Sequence, residues 1–342
     1  MSPQASNDYK LYGFTMSPFS MKLRAYFRYR RIPFLWISGQ PANDVAQTKV
    51  ETYMVPVVEN PDGVFKNDST LIIDDLEETF SERRTTPDNE TDAFLAALIE
   101  DFMDEWLLWP MYAYRWRTDE DRLHNSKWIL YEHFQGMANA PSFEQMSQFW
   151  AGRQVKGMEL LCGSFEILDE SLHRFLTITE QLFSDGLFLF GSRPSRADIA
   201  IYGILSQLII DPTPAALLRK KFNRTYRWVT LMEDLSGIEG EWEPVSTDAD
   251  RFQAARILDI LKLSGTYHLP LLDANAKALE QGEKTFTFDV EGQPYSRNAH
   301  DRHAGCLEAL RQRYAELSDE SKTLLDSTLK ESGCFSYLAI KA

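Results

Sequence analysis

Cysteine is scarce in this chain. The three present, Cys162, Cys306 and Cys334, are far apart and odd in number, which gives neither a disulfide framework nor a zinc pattern. Long apolar runs are also missing. None approaches the roughly 18–20 residues a bilayer span requires, and the N-terminus has no basic-then-apolar leader. Positive charge is in deficit, with 36 Lys and Arg against 51 Asp and Glu and a formal net charge of −15. That balance argues against a nucleic-acid binder, which would show a basic face, and against attraction to an anionic membrane. Internal repeats and low-complexity tracts are absent. A cytoplasmic location is the expectation.

What is present is a soluble, two-domain composition: 342 residues, 44% hydrophobic and 25% charged. The chain opens with an apolar strand (Leu11, Tyr12, Phe14), a short loop, and a helix beginning at Ser17-Pro18. Ser at the N-cap with Pro at the first helical position is a helix-start signal, because Pro lacks the N–H that would be orphaned there. The same geometry puts a hydroxyl beside free backbone N–H groups at the positive end of a helix dipole, a place that stabilises an anion such as a thiolate.

Pro33–Ile37 reads as a second buried strand, and 39–53 as polar with at most one short helix. Val55–Glu59 and Gly63–Lys66, joined by Asn60-Pro61-Asp62-Gly63, form a β-hairpin. A helix follows Asp68-Ser69 with Ile72, Leu76 and Phe80 on one face. The order βαβ then ββα is that of a thioredoxin-like domain, 1–82, and a Pro opening a strand in that fold predicts a cis bond between Val55 and Pro56.

The charged, turn-rich segment around Pro87 predicts a domain boundary. From there the pattern is helical through 91–244. Helices are expected at 93–109, with Pro110 bending the first, and near 120–136, 142–152 and 153–184. Ser195 and Asp198 form a capping box ahead of a nearly all-apolar central helix. Residues 245–342 are a mixed extension, helical at Phe252–Leu263 and His303–Lys330, with a hairpin near 285–296. Its Phe252, Ile257, Leu258, Leu261, Tyr267, Leu269, Leu271 and Leu272 predict docking onto the helical domain, since exposing them would cost about 25 cal/mol per Å².

Three stretches carry a family resemblance: SPFSMKLR from Ser17, Val55-Pro56 with Asp68-Ser69, and the Ser195–Asp198 box. Together they resemble a cytosolic glutathione transferase, nearest the Ser-type, tau-like members. The resemblance covers about 9–236 and implies a thioredoxin-like α/β domain followed by an all-helical one. It implies that Ser17, with Ser20 as fallback, activates the thiol of glutathione, the co-substrate. Phe19, Gln40, Lys49, Val55, Pro56, Asp68 and Ser69 would hold the tripeptide. Val55 would pair with the cysteinyl backbone, and Asp68 and Ser69 would take the γ-glutamyl end. Phe14, Met16, Trp109, Tyr112, Arg115 and Trp116 would form the pocket for a small apolar electrophile. No metal is implied. The implied enzyme is a cytoplasmic, homodimeric detoxification transferase that needs neither nucleic acid nor membrane.

Two departures matter. Tau-like relatives carry a Lys where this chain has Met54, leaving Lys49 or Gln40 to meet the glycyl carboxylate. With Ser rather than Cys before Pro-Phe, exchange through a protein mixed disulfide is disfavoured. The alternatives are a non-catalytic binding module of the same fold or another glutathione-dependent reaction, such as ether cleavage, peroxide reduction or isomerisation. Glu100, Asp101, Asp104 and Glu105 read as a solvated face, or as one lining a dimer cleft opposite Arg83 and Arg84. His300 and His303 read as solvated, and His268 as a satisfied core residue.

Overall fold

In the computed structural model, the described residues are 8–134, 142–245 and 252–339. Expected features at 135–136 and at the start of the extension lie outside them, as does the side chain of Phe252. Strand β1 (Tyr9–Tyr12) leads to α1 (Pro18–Arg30), β2 (Phe34–Ile37), α2 (Gln40–Thr48), β3 (Val57–Glu59), β4 (Phe65–Asn67) and α3 (Ser69–Thr79). The sheet order is β2-β1-β3-β4, parallel for β1 with β2 and antiparallel elsewhere. The hairpin pairs Glu59 with Phe65, and the Val55–Pro56 bond is cis as expected. This is the thioredoxin-like α/β half.

The helical half starts with α4 (Glu90–Phe102), capped by Asn89, whose side chain accepts from the Asp92 N–H. It does not run on to Pro110. A wide π-type turn over Met103–Leu107 comes first, and Pro110 follows it near the start of α5 (Leu108–Arg117), so its missing N–H falls where the regular i→i−4 ladder is already interrupted. Then come α6 (Asp119–His133), α7 (Phe143–Leu161), α8 (Phe165–Asp185), α9 (Arg196–Leu208), α10 (Pro212–Lys221) and α11 (Asn223–Met232). The break expected at 152 falls instead after Leu161. Gly163 has φ +65°, and a Cβ there would lie 2.8 Å from the Tyr295 ring, so contact with the extension sets the break. The Ser195–Asp198 capping box forms, and α9 is buried along its length. Among the described residues no single helix is long and apolar enough to cross a membrane.

The extension holds α12 (Phe252–Leu263), a second wide turn (Ser264–His268), α13 (Leu269–Glu280), hairpin β5 (Thr285–Val290) and β6 (Gln293–Asn298), α14 (Asp301–Ala315), α15 (Asp319–Glu331) and α16 (Phe335–Leu338). The stretch expected to be helical over 303–330 is carried by two helices, α14 and α15. The extension is docked. Ile257, Leu261, Tyr267, Leu269, Leu271 and Leu272 join one core cluster that runs from Leu11 to Leu338. The Tyr267 ring stacks on Trp106 at 5.1 Å, and the Tyr295 hydroxyl donates to the Cys162 carbonyl at 2.6 Å.

The acidic segment corrects the sequence reading. Glu100, Asp104 and Glu105 are buried at 1%, 3% and 4% exposure, not solvated. Lys22 lies 2.6 Å from both Glu100 and Asp104, while Arg196 pairs with Glu100 and, at 2.7 Å, with Asp74. Asp101 bonds the buried His268 at 2.7 Å, and Glu105 takes Arg302 at 3.0 Å and His303 at 3.3 Å. His303 is thus buried, while His300 caps α14. Within the acidic run, Glu100 and Asp104 thus turn to α1 and α9, and Asp101 and Glu105 to the extension. Arg83 and Arg84 are engaged within the chain, by Glu239 at 2.7 Å and Glu77 at 3.3 Å.

Candidate active site

The loop between β1 and α1 is gripped from behind by the helical half. The Arg115 guanidinium donates to the Met16 carbonyl at 2.7 Å, to Asp211 at 2.9 Å and to Gln207 at 2.7 Å. The Gln207 amide reaches the Thr15 carbonyl at 3.1 Å, and Glu132 accepts from the Thr15 N–H and hydroxyl, both at 2.8 Å. α1 can approach α9 closely because Gly203 carries no side chain, where a Cβ would lie 2.8 Å from the Pro18 carbonyl oxygen.

Ser17, held by that loop, is the N-cap of α1, with extended backbone at φ −108° and ψ 119°. Its Oγ accepts from the Ser20 N–H at 3.2 Å, and among the described residues its hydroxyl proton has no acceptor. Ser20 is fully buried, and its Oγ accepts from the Phe14 N–H at 3.3 Å. It tightens the loop and does not reach the cavity.

Ser17 opens onto a cavity of about 390 Å³. One wall comes from the thioredoxin-like half, with Phe14, Met16, Asn43, Tyr53 and Val55; the other comes from α6 and α7, with Ile129, Glu132, His133, Met146, Phe149 and Trp150. Among the described residues the Val55 backbone makes no hydrogen bond, so its N–H and C=O remain available beside the cavity. The His133 ring stacks on Phe14 at 6.2 Å, and burial holds its pKa below the usual imidazole value. Burial raises the Glu132 carboxyl, against the opposing hydrogen bonds from Thr15.

Asp68 caps α3, with Oδ1 accepting from Thr70 N–H at 3.1 Å and a left-handed φ of +73° that Asp tolerates better than most residues. Ser69 behind it is buried. Arg302 of the extension donates to Asp68 Oδ2 at 3.2 Å and lies 3.7 Å from the Met54 sulfur. Its Nε meets Glu105 at 3.0 Å. Burial works against the Glu105 charge, but His303 and Arg302 bring its pKa down to about 2.

Residues 11–84 match the family model for the glutathione S-transferase N-terminal domain, and 164–235 that for the C-terminal domain. The chain has the glutathione transferase fold. Similar solved structures include a glutathione S-transferase from Methylobacterium radiotolerans in complex with glutathione sulfonate (18% identity, 66% of this chain and 90% of that one, TM-score 0.43). Another is that of Ceriporiopsis subvermispora in complex with glutathione (19% identity, 66% and 97%, TM-score 0.40). A third is the β-etherase LigF of Sphingobium sp. strain SYK-6 (18% identity, 73% and 98%, TM-score 0.44). No curated protein sequence matches the chain.

Within this transferase fold, several residues expected in the site stand elsewhere. Arg115 and Trp116 are buried in the core, Trp109 donates to the Glu105 carbonyl at 2.8 Å, and Tyr112 bonds Gln154 at 2.7 Å. None of the four lines the cavity, because α5 is packed on its several sides by α6, α7, α8 and α9. Phe14 and Met16 do line it. Gln40 is exposed and donates to Asp44 at 2.6 Å. Lys49 is exposed, with its ammonium 5.5 Å from the centre of the Phe65 ring. Phe19 is half-buried on the first turn of α1, and Pro56 is buried behind Val55.

Glu132, His133, Phe149, Trp150 and Arg302 were not marked by the sequence. The aromatic density of α6 and α7 was a usable signal for the cavity wall. For Arg302 the signal was indirect: a run of acids inside an apolar helix demands cations from elsewhere in the chain.

Proposed function

We propose that this protein binds glutathione and transfers its sulfur to a small apolar electrophile, by the thiol activation that Ser17 can supply. The observation that carries the reading is Ser17 itself. It is an N-cap hydroxyl with its proton uncommitted among the described residues, facing a largely apolar cavity that also contains the unpaired Val55 backbone. Val55 pairs with the cysteinyl backbone by strand-like hydrogen bonds, and Asp68 and Ser69 hold the γ-glutamyl end. Bound there, the thiol lies beside Ser17 at the positive end of α1, and the thiolate is the nucleophile. The electrophile occupies the space between Phe14, Met16 and the α6–α7 wall.

Transfer is favoured over mixed-disulfide chemistry by the cysteines. Burial pushes the Cys162 thiol up to about 12 and the Cys334 thiol up to about 11, and the Cys306 thiol is also raised, by burial with Asp101 and Glu105 nearby. Glutathione titration by calorimetry, run beside conjugation to a generic aryl halide, tests the reading. Binding with turnover is expected; binding without turnover would make the chain a glutathione-binding module, and neither would remove glutathione from the account.

A further inference from the structure

Taking the glutathione site above as given, we infer that Arg302, carried by the extension, is the residue that recognises the α-carboxylate of the γ-glutamyl group. At the γ-glutamyl end Asp68 caps α3 and Ser69 behind it is buried, so neither brings a positive charge to a carboxylate there. A guanidinium reaches this spot from 248 positions along the chain, its Nη1 3.7 Å from the Met54 sulfur and 3.2 Å from Asp68 Oδ2.

Arg302 is anchored but not saturated. Nε is committed to Glu105, which is itself buried and also held by His303, and Nη1 is committed to Asp68. Nη2 makes no hydrogen bond among the described residues and is not a buried atom, and the side chain is 32% exposed. The fork is therefore fixed in orientation by two carboxylates while one terminal nitrogen still faces outward. The resulting array is alternating: Asp68 offers a negative group and Arg302, directly beside it, a positive one. That is the complement of an α-amino acid head group, whose ammonium goes to Asp68 and whose carboxylate goes to Arg302. A tripeptide lacking either charge loses a partner there.

The test uses the full chain and two ligands in calorimetry: glutathione, and γ-aminobutyryl-Cys-Gly, which lacks only the α-carboxylate. One charge-assisted hydrogen bond predicts a preference of about 10–100-fold for glutathione in the unaltered protein. Arg302→Gln is expected to erase that preference by weakening glutathione alone, and Arg302→Lys to retain part of it. The ligand pair needs no mutation, so the unaltered protein and Arg302→Lys decide the matter even if Arg302→Gln does not fold. Equal affinities for the two ligands in the unaltered protein, or an undiminished preference in Arg302→Gln, would overturn the assignment while leaving glutathione binding intact. Tighter glutathione binding by Arg302→Gln would overturn it too, by showing that Arg302 competes with the ammonium for Asp68. Failure of the unaltered protein to bind either ligand removes the glutathione reading and this assignment with it.

Discussion

Two cations meet the same acidic segment, and they are used differently. Lys22 on α1 is 1% exposed, with its ammonium 2.6 Å from Glu100, 2.6 Å from Asp104 and 3.3 Å from the Thr70 hydroxyl. Nothing is left over for a ligand. Arg302 holds Glu105 and Asp68 at comparable distances but keeps a nitrogen at the surface. Adjacent carboxylates respond in opposite ways. Burial, reinforced by Glu100 and Glu105, pushes Asp104 up to about 7 despite Lys22, its one cationic partner. Glu105, met by His303 and by the Arg302 Nε, is held well below the ordinary carboxylate value. A closed cluster ties the two halves of the transferase fold together, and an open one ties the extension to the candidate site. Whether a buried charge group is structural or available depends on the count of donors against acceptors, not on burial alone.

The closed cluster is the costlier to break. Lys22→Met strands Asp104 in the interior and leaves Glu100 to Arg196 alone, and removing one partner of a buried pair costs about 3–5 kcal/mol. Urea unfolding should show a midpoint lowered accordingly with an unchanged slope; a loss under about 1 kcal/mol would mean that water reaches the cluster.

The open cluster should respond to acid. Glu105 has a folded pKa of about 2 against an ordinary 4.5. A carboxyl held down on folding stabilises above its unfolded value and stops doing so as pH falls through its folded value. About 3 kcal/mol is therefore lost between pH 4.5 and 2. In Glu105→Gln this part of the pH dependence should vanish from the thermal midpoints measured across that range. An unchanged acid limb would show that other carboxylates carry it.

Next in size is the helix cap. Ser17→Ala should cost about 1 kcal/mol of stability, the usual worth of an N-cap, whatever it does to turnover. Smallest is Asp104→Asn. Burial and the neighbouring acids already disfavour its charge, and an amide keeps an acceptor for the Lys22 ammonium, so the change should stay within about 1 kcal/mol at pH 6. A loss as large as that of Lys22→Met would mean that Asp104 is fully ionised in the folded protein.

The features legible in the sequence were local ones. The Ser17-Pro18 start, the Asn60–Gly63 turn, the Ser195–Asp198 box and the strand-opening Pro56 each declare themselves within a few residues, because caps and turns are satisfied by neighbouring backbone. What could not be read locally was set by partners far along the chain. Arg115 sits in an aromatic stripe that suggests a ligand pocket, yet its partners Met16, Gln207 and Asp211 turn it inward. Glu100 to Glu105 look solvated until Lys22, Arg196 and Arg302 are brought to them. The end of α7 follows Gly163 and Tyr295, a contact across 132 positions that no periodicity in α7 anticipates.

The claim on which the account turns is that Ser17 activates a bound thiol. It is tested most directly by the pH dependence of kcat/KM for aryl-halide conjugation, measured from pH 6 to 10 in the unaltered protein and in Ser17→Ala. Lowering the thiol pKa from about 8.5 toward ~6.5 corresponds to about 2.7 kcal/mol in favour of thiolate, part of which the helix dipole and backbone N–H groups retain in the mutant. Losing one preorganised donor to an anion costs about 10²–10³ in rate. The account predicts a loss of that order at pH 6.5 that shrinks above pH 9, where the thiol ionises unaided. Superimposable profiles for the two proteins would contradict it and make Ser17 a cap alone.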